Sequence, residues 1–109
     1  MKYLKNILEE KSFCLKQLID VMPHQVVSMS LSKSEHVFVT LFAYSSGESV
    51  SNEAYDGDVV YTCIEGCVHI VTEKEKIILQ ENENVAIAAG TLHAVEGEGD
   101  FKVLQIIVK

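Results

Sequence analysis

Residues 25–108 alternate apolar and polar positions with a period of two over most of their length. The segments QVVSMSLS and HVFVTLFAYSS are rich in valine, phenylalanine, threonine and tyrosine, residue types that favour half-buried strands. Polar or glycine-containing breaks such as Ser-Lys-Ser, SGES and DG mark turns between them. Further short strands are predicted at KIILQ, NVAIA, HAVE and FKVLQIIVK. The pattern therefore predicts an all-β sandwich or barrel.

The first 22 residues show a different pattern. Leu4, Ile7 and Leu8 recur at helical spacing, which predicts a short N-terminal helix. An extended segment is predicted from Cys14 to Val21, and Pro23 interrupts the chain after it. With 109 residues the chain is expected to form one domain, in which residues 1–22 are a helix or arm.

The segment DVVYTCIEGCVHIVT predicts a β-hairpin whose two-residue turn is Glu65-Gly66, because glycine readily adopts positive φ. Cys63 would then face Val68 across the hairpin, and Ile64 would face Cys67. The more buried face of this hairpin would consist of Val59, Tyr61, Cys63, Val68 and Ile70. Cys63 and Cys67 would leave opposite faces, so neither a disulfide bond nor a zinc clip is expected between them.

Composition restricts the functional classes. Apolar residues make up 48% and charged residues 23% of the chain, which is typical of a folded globular protein. The net charge of −7, with no cluster of lysine or arginine, argues against binding to nucleic acid. No stretch is long and apolar enough to cross a bilayer, so no membrane partner is expected. The odd number of cysteines and the absence of a recognisable signal peptide predict a cytoplasmic protein without a disulfide framework.

Two stretches carry a resemblance to a known family. GDVVYTCIEGCVHI followed by LQENENVAIAAGTLHAV is similar to the cupin superfamily, and the likeness extends over roughly residues 37–108, the expected barrel core. The motifs of that family are G-x5-H-x-H-x3/4-E-x6-G and G-x5-P-x-G-x2-H-x3-N. The resemblance implies a cupin-type jelly-roll β-barrel. It also implies an interior metal position held by two histidines and a glutamate of the first motif and the histidine of the second.

The match can be followed position by position. Four positions agree with the motifs, and these are Gly47, Gly66, Gly90 and His93. The ligand positions of the first motif are occupied by Glu53, Tyr55 and Val59. In the second motif the glycine, proline and asparagine are replaced by Asn82, Ala88 and Gly97. The resemblance therefore implies that His93 faces the barrel interior as the one remaining histidine of the usual metal-binding set.

Three roles for His93 stay open. It could bind a divalent metal such as Zn, Fe, Mn or Ni weakly, with Glu53 as an oxygen ligand. It could be a core histidine whose ring bonds a backbone carbonyl or Tyr61. It could also be a general base or ligand-binding group in a metal-free pocket. The predicted pocket consists of His93, Tyr61, Glu53, Tyr55, Val59 and Cys63, whereas His24, His36 and His69 are expected at the surface or at an interface.

Three functions remain after these arguments, because a fold does not by itself select a function. The first is binding of a small organic ligand in the barrel without a strong metal site. The second is a metal-dependent isomerase or oxygenase that uses His93 and Glu53. The third is a dimeric scaffold or interaction protein. A homodimer is expected in each case, because Val60, Ile64 and Val71 give the outer sheet face an apolar character.

Overall fold

Seven β-strands and one turn of 3₁₀ helix account for the regular structure. The computed structural model describes residues 1–109. The strands are β1 (Val26–Lys33), β2 (Val37–Tyr44), β3 (Val50–Glu53), β4 (Asp58–Thr72), β5 (Lys76–Leu79), β6 (Asn84–Ile87) and β7 (His93–Val108). The 3₁₀ turn spans Leu15–Gln17, and no helix has the length and apolar character needed to cross a membrane. The predicted all-β class is therefore confirmed.

The two long strands β4 and β7 organise the domain. They pair antiparallel from Asp58 opposite Val108 to Thr72 opposite His93. Around one half of this ladder, β6 pairs with β4 and β2 pairs with β7, and β1 pairs with β2. Around the other half, β5 pairs with β4 and β3 pairs with β7. The two halves form two layers with the main apolar core between them, as in a β-sandwich.

The predicted hairpin turn at Glu65-Gly66 is wrong, because β4 continues through these residues. The pairing with β7 shifts twice there: Cys63 faces Val103, Glu65 faces Lys102 and Cys67 faces Glu98. Gly66 has φ = 84°, and a Cβ atom on it would lie 2.6 Å from the backbone oxygen of Asp100. The irregularity is a bulged bend between the two layers.

This bend explains why the predicted buried face is nevertheless correct. Inward positions are odd-numbered before the bend and even-numbered after it, as they would be across a two-residue turn. Every residue predicted for that face is at most 1% exposed, and these are Val59, Tyr61, Cys63, Val68 and Ile70.

The predicted N-terminal helix is also wrong, because the segment lies along the edge strand β1. The backbone N–H of Lys5 donates to the Leu31 carbonyl at 2.9 Å, and the Asn6 side chain donates to the Ser30 carbonyl at 2.7 Å. Asn6 and Glu10 have φ values of 63° and 55°, outside the right-handed helical region. Bonding to an open sheet edge replaces the helix and covers that edge.

Candidate functional site

A cavity of about 190 Å³ lies between the two layers. Strands β2, β3, β4 and β7, together with the loop after β3, supply its walls. The lining residues are Phe42, Tyr44, Val50, Glu53, Tyr55, Tyr61, His93, Val95 and Gln105. Most of these side chains are apolar or aromatic and only a few are polar, which is the usual composition of a small-molecule site.

The turn that precedes β7 fixes the position and tautomer of His93. The Thr91 N–H donates to the Ala88 carbonyl at 3.1 Å and closes this turn, in which Gly90 has φ = 81°. The turn directs the Thr91 carbonyl back at the imidazole, where it accepts a hydrogen bond from Nδ1 at 2.8 Å. Because a carbonyl only accepts, Nδ1 carries the proton and Nε2 of His93 is an acceptor.

A chain of hydrogen bonds continues from His93 across the cavity wall. The Tyr61 hydroxyl lies 2.7 Å from His93 Nε2 and donates to it. The Gln105 amide donates to the Tyr61 hydroxyl oxygen at 3.1 Å and to the Tyr55 hydroxyl oxygen at 3.4 Å. His93 and Tyr61 are each 1% exposed, so this network is shielded from bulk water and its bonds hold the side chains in place.

Both fully buried tyrosines at the site remain neutral at ordinary pH. Burial is the largest cause that raises the pKa of Tyr61, and the hydrogen bond from Gln105 opposes it only in part. Burial likewise raises the pKa of Tyr44, and the neighbouring tyrosines and Glu53 add to the effect. The Tyr61 hydroxyl is therefore a stable donor to His93 rather than a source of phenolate.

Glu53 lies at the opening of the cavity. It is the cross-strand partner of His93 between β3 and β7, and its side chain is exposed. No hydrogen bond or ion pair joins its carboxylate to the imidazole. The carboxylate makes the opening acidic, and its field is one of the influences that raise the pKa of Tyr61.

The cavity brings together four of the six residues predicted from the sequence: His93, Tyr61, Glu53 and Tyr55. The other two, Val59 and Cys63, are buried in the core but do not line the cavity. Val59 faces Ile87 and Ile107 on the neighbouring strands. Cys63 lies at the bend, where its thiol donates to the Gly66 carbonyl at 3.3 Å and burial raises its pKa to about 11.

Gln105 is the polar cavity residue that the sequence analysis missed. It lies on the inward face of β7 together with Phe101, Val103 and Ile107, which are all buried. A single amide among the apolar inward positions of β7 was a signal of a polar site in the sequence, because a buried amide needs hydrogen-bond partners. Phe42, Tyr44, Val50 and Val95 were not assigned to the pocket, because the facing of β2, β3 and the first part of β7 depends on long-range pairing.

The residues at the barrel position do not fit a metal ion. Both nitrogens of His93 are already used, one by the Thr91 carbonyl and one by the Tyr61 hydroxyl. The remaining groups around it are phenols, an amide and a single carboxylate at the opening, whereas zinc sites have at least three protein ligands. Every buried polar side-chain atom already has a partner, so no orphaned atom awaits an ion.

Comparison with known proteins gives strong matches to solved structures. A cupin superfamily protein from Desulfitobacterium hafniense is 39% identical, with 96% of each chain covered and a TM-score of 0.92. A conserved protein of unknown function from Streptococcus pyogenes is 26% identical, with 100% of this chain and 96% of that chain covered and a TM-score of 0.94. A cupin 2 conserved barrel domain protein from Leptotrichia buccalis is 28% identical, with a TM-score of 0.85. The match covers 89% of this chain and 47% of that chain.

No family model matches the sequence, and no curated protein matches it.

Proposed function

This chain belongs to the cupin superfamily, and we propose that its barrel binds a small organic molecule without the help of a metal ion. The observation that carries the proposal is the cavity itself. Its wall contains the connected hydrogen bonds of His93, Tyr61 and Gln105, and the rest of its surface is largely apolar. Such a wall orients a ligand through one or two polar groups, while the apolar surface supplies most of the binding energy.

The volume of the cavity limits the size of the ligand. Its 190 Å³ is slightly larger than an engineered cavity of about 150 Å³ that binds benzene. A molecule with one ring, or with a branched chain of similar size, fits this space. Larger metabolites would require the opening at Glu53 to widen.

The charge of the wall indicates which ligands are favoured. Four aromatic rings line the cavity, those of Phe42, Tyr44, Tyr55 and Tyr61, and the only charged group is the Glu53 carboxylate. The chain as a whole carries a net charge of −7. Aromatic faces and a carboxylate attract cations, and the overall charge repels anions. We therefore expect a neutral or cationic ligand.

The metal-dependent enzyme is the weaker alternative. It would require His93 Nε2 to exchange a 2.7 Å hydrogen bond from Tyr61 for a metal ion, with Glu53 as the nearest anionic ligand. No further histidine or carboxylate lines the cavity. A metal-free binding site requires no such rearrangement.

Three probes of similar size and different charge test the proposal: benzylamine, benzyl alcohol and benzoate. Thermal unfolding is measured with each probe in the presence of a chelator. Benzylamine and benzyl alcohol should stabilise the wild type, by about 2.7 kcal/mol at one hundred times the Kd, and benzoate should stabilise it least. Val50→Phe fills the cavity from β3 and serves as the control variant. It should abolish the stabilisation by all three probes.

The proposal fails if none of the probes stabilises the wild type, or if Val50→Phe responds as strongly as the wild type does. It also fails if stabilisation appears only after a divalent metal replaces the chelator, because binding would then depend on a metal centre.

A further inference from the structure

A second group of functional side chains lies outside the cavity, on the outer face of the sheet. Cys67 and His69 belong to β4, and Glu98 belongs to β7. The Sγ atom of Cys67 is 3.7 Å from Nε2 of His69, and this same nitrogen is 3.9 Å from Oε1 of Glu98. The three ligand atoms all lie within 4.8 Å of one another.

The strand pairing holds these residues together. Cys67 faces Glu98 directly across the β4–β7 ladder, and His69 lies two residues along the same strand, so all three share one face. Val68 and Ile70, their neighbours on β4, point into the core. The sequence analysis did not join Glu98 to this group, because Glu98 is distant in the chain and the bulged bend sets its register with Cys67.

The geometry distinguishes a metal site from a catalytic triad. In a cysteine–histidine–acid triad the acid bonds one ring nitrogen, while the other nitrogen faces the nucleophile. Here Nε2 of His69 faces both the sulfur and the carboxylate. Three ligand atoms within 4.8 Å of one another can surround a single ion.

We propose that Cys67, His69 and Glu98 form a zinc-binding site on the outer face of the sheet. Thiolate, imidazole and carboxylate are the three ligand types that zinc takes in proteins. Zinc bond lengths at tetrahedral angles require S···N and N···O separations of about 3.5 Å and about 3.4 Å. The observed separations of 3.7 Å and 3.9 Å need to shorten by only a few tenths of an ångström.

The surroundings permit an ion to enter and to be held. His69 is only 8% exposed, so its ring orientation is restricted, whereas Cys67 is partly exposed and Glu98 is exposed. Gln80, the residue that follows β5, has its amide nitrogen 3.8 Å from the Cys67 sulfur, and a zinc ion with three protein ligands takes water as its fourth. Binding displaces the thiol proton of Cys67, and that proton leaves to solvent.

The test uses reduced, chelator-treated protein and Co²⁺ as a spectroscopic substitute for Zn²⁺. Wild type should develop a thiolate-to-cobalt absorption band at one ion per chain, and added Zn²⁺ should displace it. Cys67→Ser should abolish the band, and Glu98→Gln should weaken Zn²⁺ binding by about tenfold or more. Cys14→Ser and Glu96→Gln are matched controls, an exposed thiol and a carboxylate two residues along β7, and should bind as wild type does.

A second measurement needs no variant. Zn²⁺ should slow alkylation of Cys67 in the wild-type protein and leave the exposed Cys14 reactive, as mapped by mass spectrometry. The proposal is overturned if Zn²⁺ does not change the alkylation rate of Cys67. It is also overturned if the cobalt band survives in Cys67→Ser, or if it is lost in His93→Gln, since the ion would then lie in the barrel.

Discussion

At the scale of single residues, the hydrogen-bond network of the cavity wall depends on the tautomer of one imidazole. The Thr91 carbonyl keeps the proton on Nδ1 of His93, and this leaves Nε2 to accept from Tyr61. The His93 position was identifiable from the sequence through the family resemblance, and Tyr61 through the alternation of β4. The bond between them was one of the alternatives that the sequence left open, and it could not be selected because it depends on a turn carbonyl whose direction is set by Gly90.

Tyr61→Phe tests how much this bond contributes to stability. The substitution keeps the ring and leaves His93 Nε2 and the Gln105 amide without their shared partner in a buried site. We expect a loss of about 1–3 kcal/mol in the free energy of unfolding, measured by urea denaturation. Tyr3→Phe is the control, because Tyr3 is 68% exposed, and its loss should be within about 0.5 kcal/mol. Equal losses in the two variants would contradict the account.

The buried thiol of Cys63 should make stability depend on pH in the alkaline range. Burial is the main cause that raises its pKa from 9.0 to about 11. Between these values the unfolded chain loses the proton and the native protein keeps it, so the free energy of unfolding should fall as pH rises. The buried tyrosines add a fall in the same direction above pH 10.0.

Urea denaturation between about pH 9 and pH 11 measures this dependence. Cys63→Ala should show a shallower decline than wild type, whereas Cys14→Ala, which changes an exposed thiol, should follow wild type. An unchanged slope in Cys63→Ala would show that the thiol ionises normally in the native state.

At the scale of secondary-structure elements, local pattern predicted strands well and their connections less well. A tight turn and a bulged bend both require glycine at positive φ. Both also change the inward-facing positions of β4 from odd to even numbers, so the dipeptide Glu65-Gly66 alone did not distinguish them. The distinction depends on β7, which runs beside both halves of β4. The N-terminal segment was mispredicted for a related reason, since its apolar spacing was compatible with a helix until the open edge of β1 offered hydrogen bonds.

Gly66 and Gly47 form a matched pair that tests the bend. Both have positive φ, 84° and 87°, so alanine is conformationally strained at either position. A Cβ atom at Gly66 would lie 2.6 Å from the Asp100 carbonyl oxygen, whereas a Cβ atom at Gly47 has nothing within 4 Å. Gly66→Ala should therefore cost more in the free energy of unfolding than the roughly 1–2 kcal/mol expected of Gly47→Ala. Similar losses would mean that β7 does not pass close to Gly66.

At the scale of the whole molecule, the family resemblance predicted the architecture, and the structure added which outer surfaces remain uncovered. The N-terminal segment packs on part of the outer face, including Ile64. Val39, Ile106 and Val60 lie in one row across β2, β7 and β4, and each is only partly buried. An apolar row of this kind favours a two-fold dimer.

Sedimentation equilibrium at micromolar concentration tests this expectation. Wild type should have twice the 12.1 kDa mass of the chain. Ile106→Lys should shift the protein toward the monomer, while Ile78→Lys, on the exposed face of β5, should not. A monomeric wild type would rule out the homodimer.

The central claim is that the barrel cavity binds a small organic molecule without metal, and nuclear magnetic resonance tests it most directly. Chelator-treated protein is titrated with benzylamine while the signals of the His93 ring, the Tyr61 ring and the Gln105 side-chain amide are followed. The account predicts saturable shifts of all three at one molecule per chain, with the His69 signals unchanged. Absence of saturable shifts, or shifts that appear only after a divalent metal is added, would contradict it.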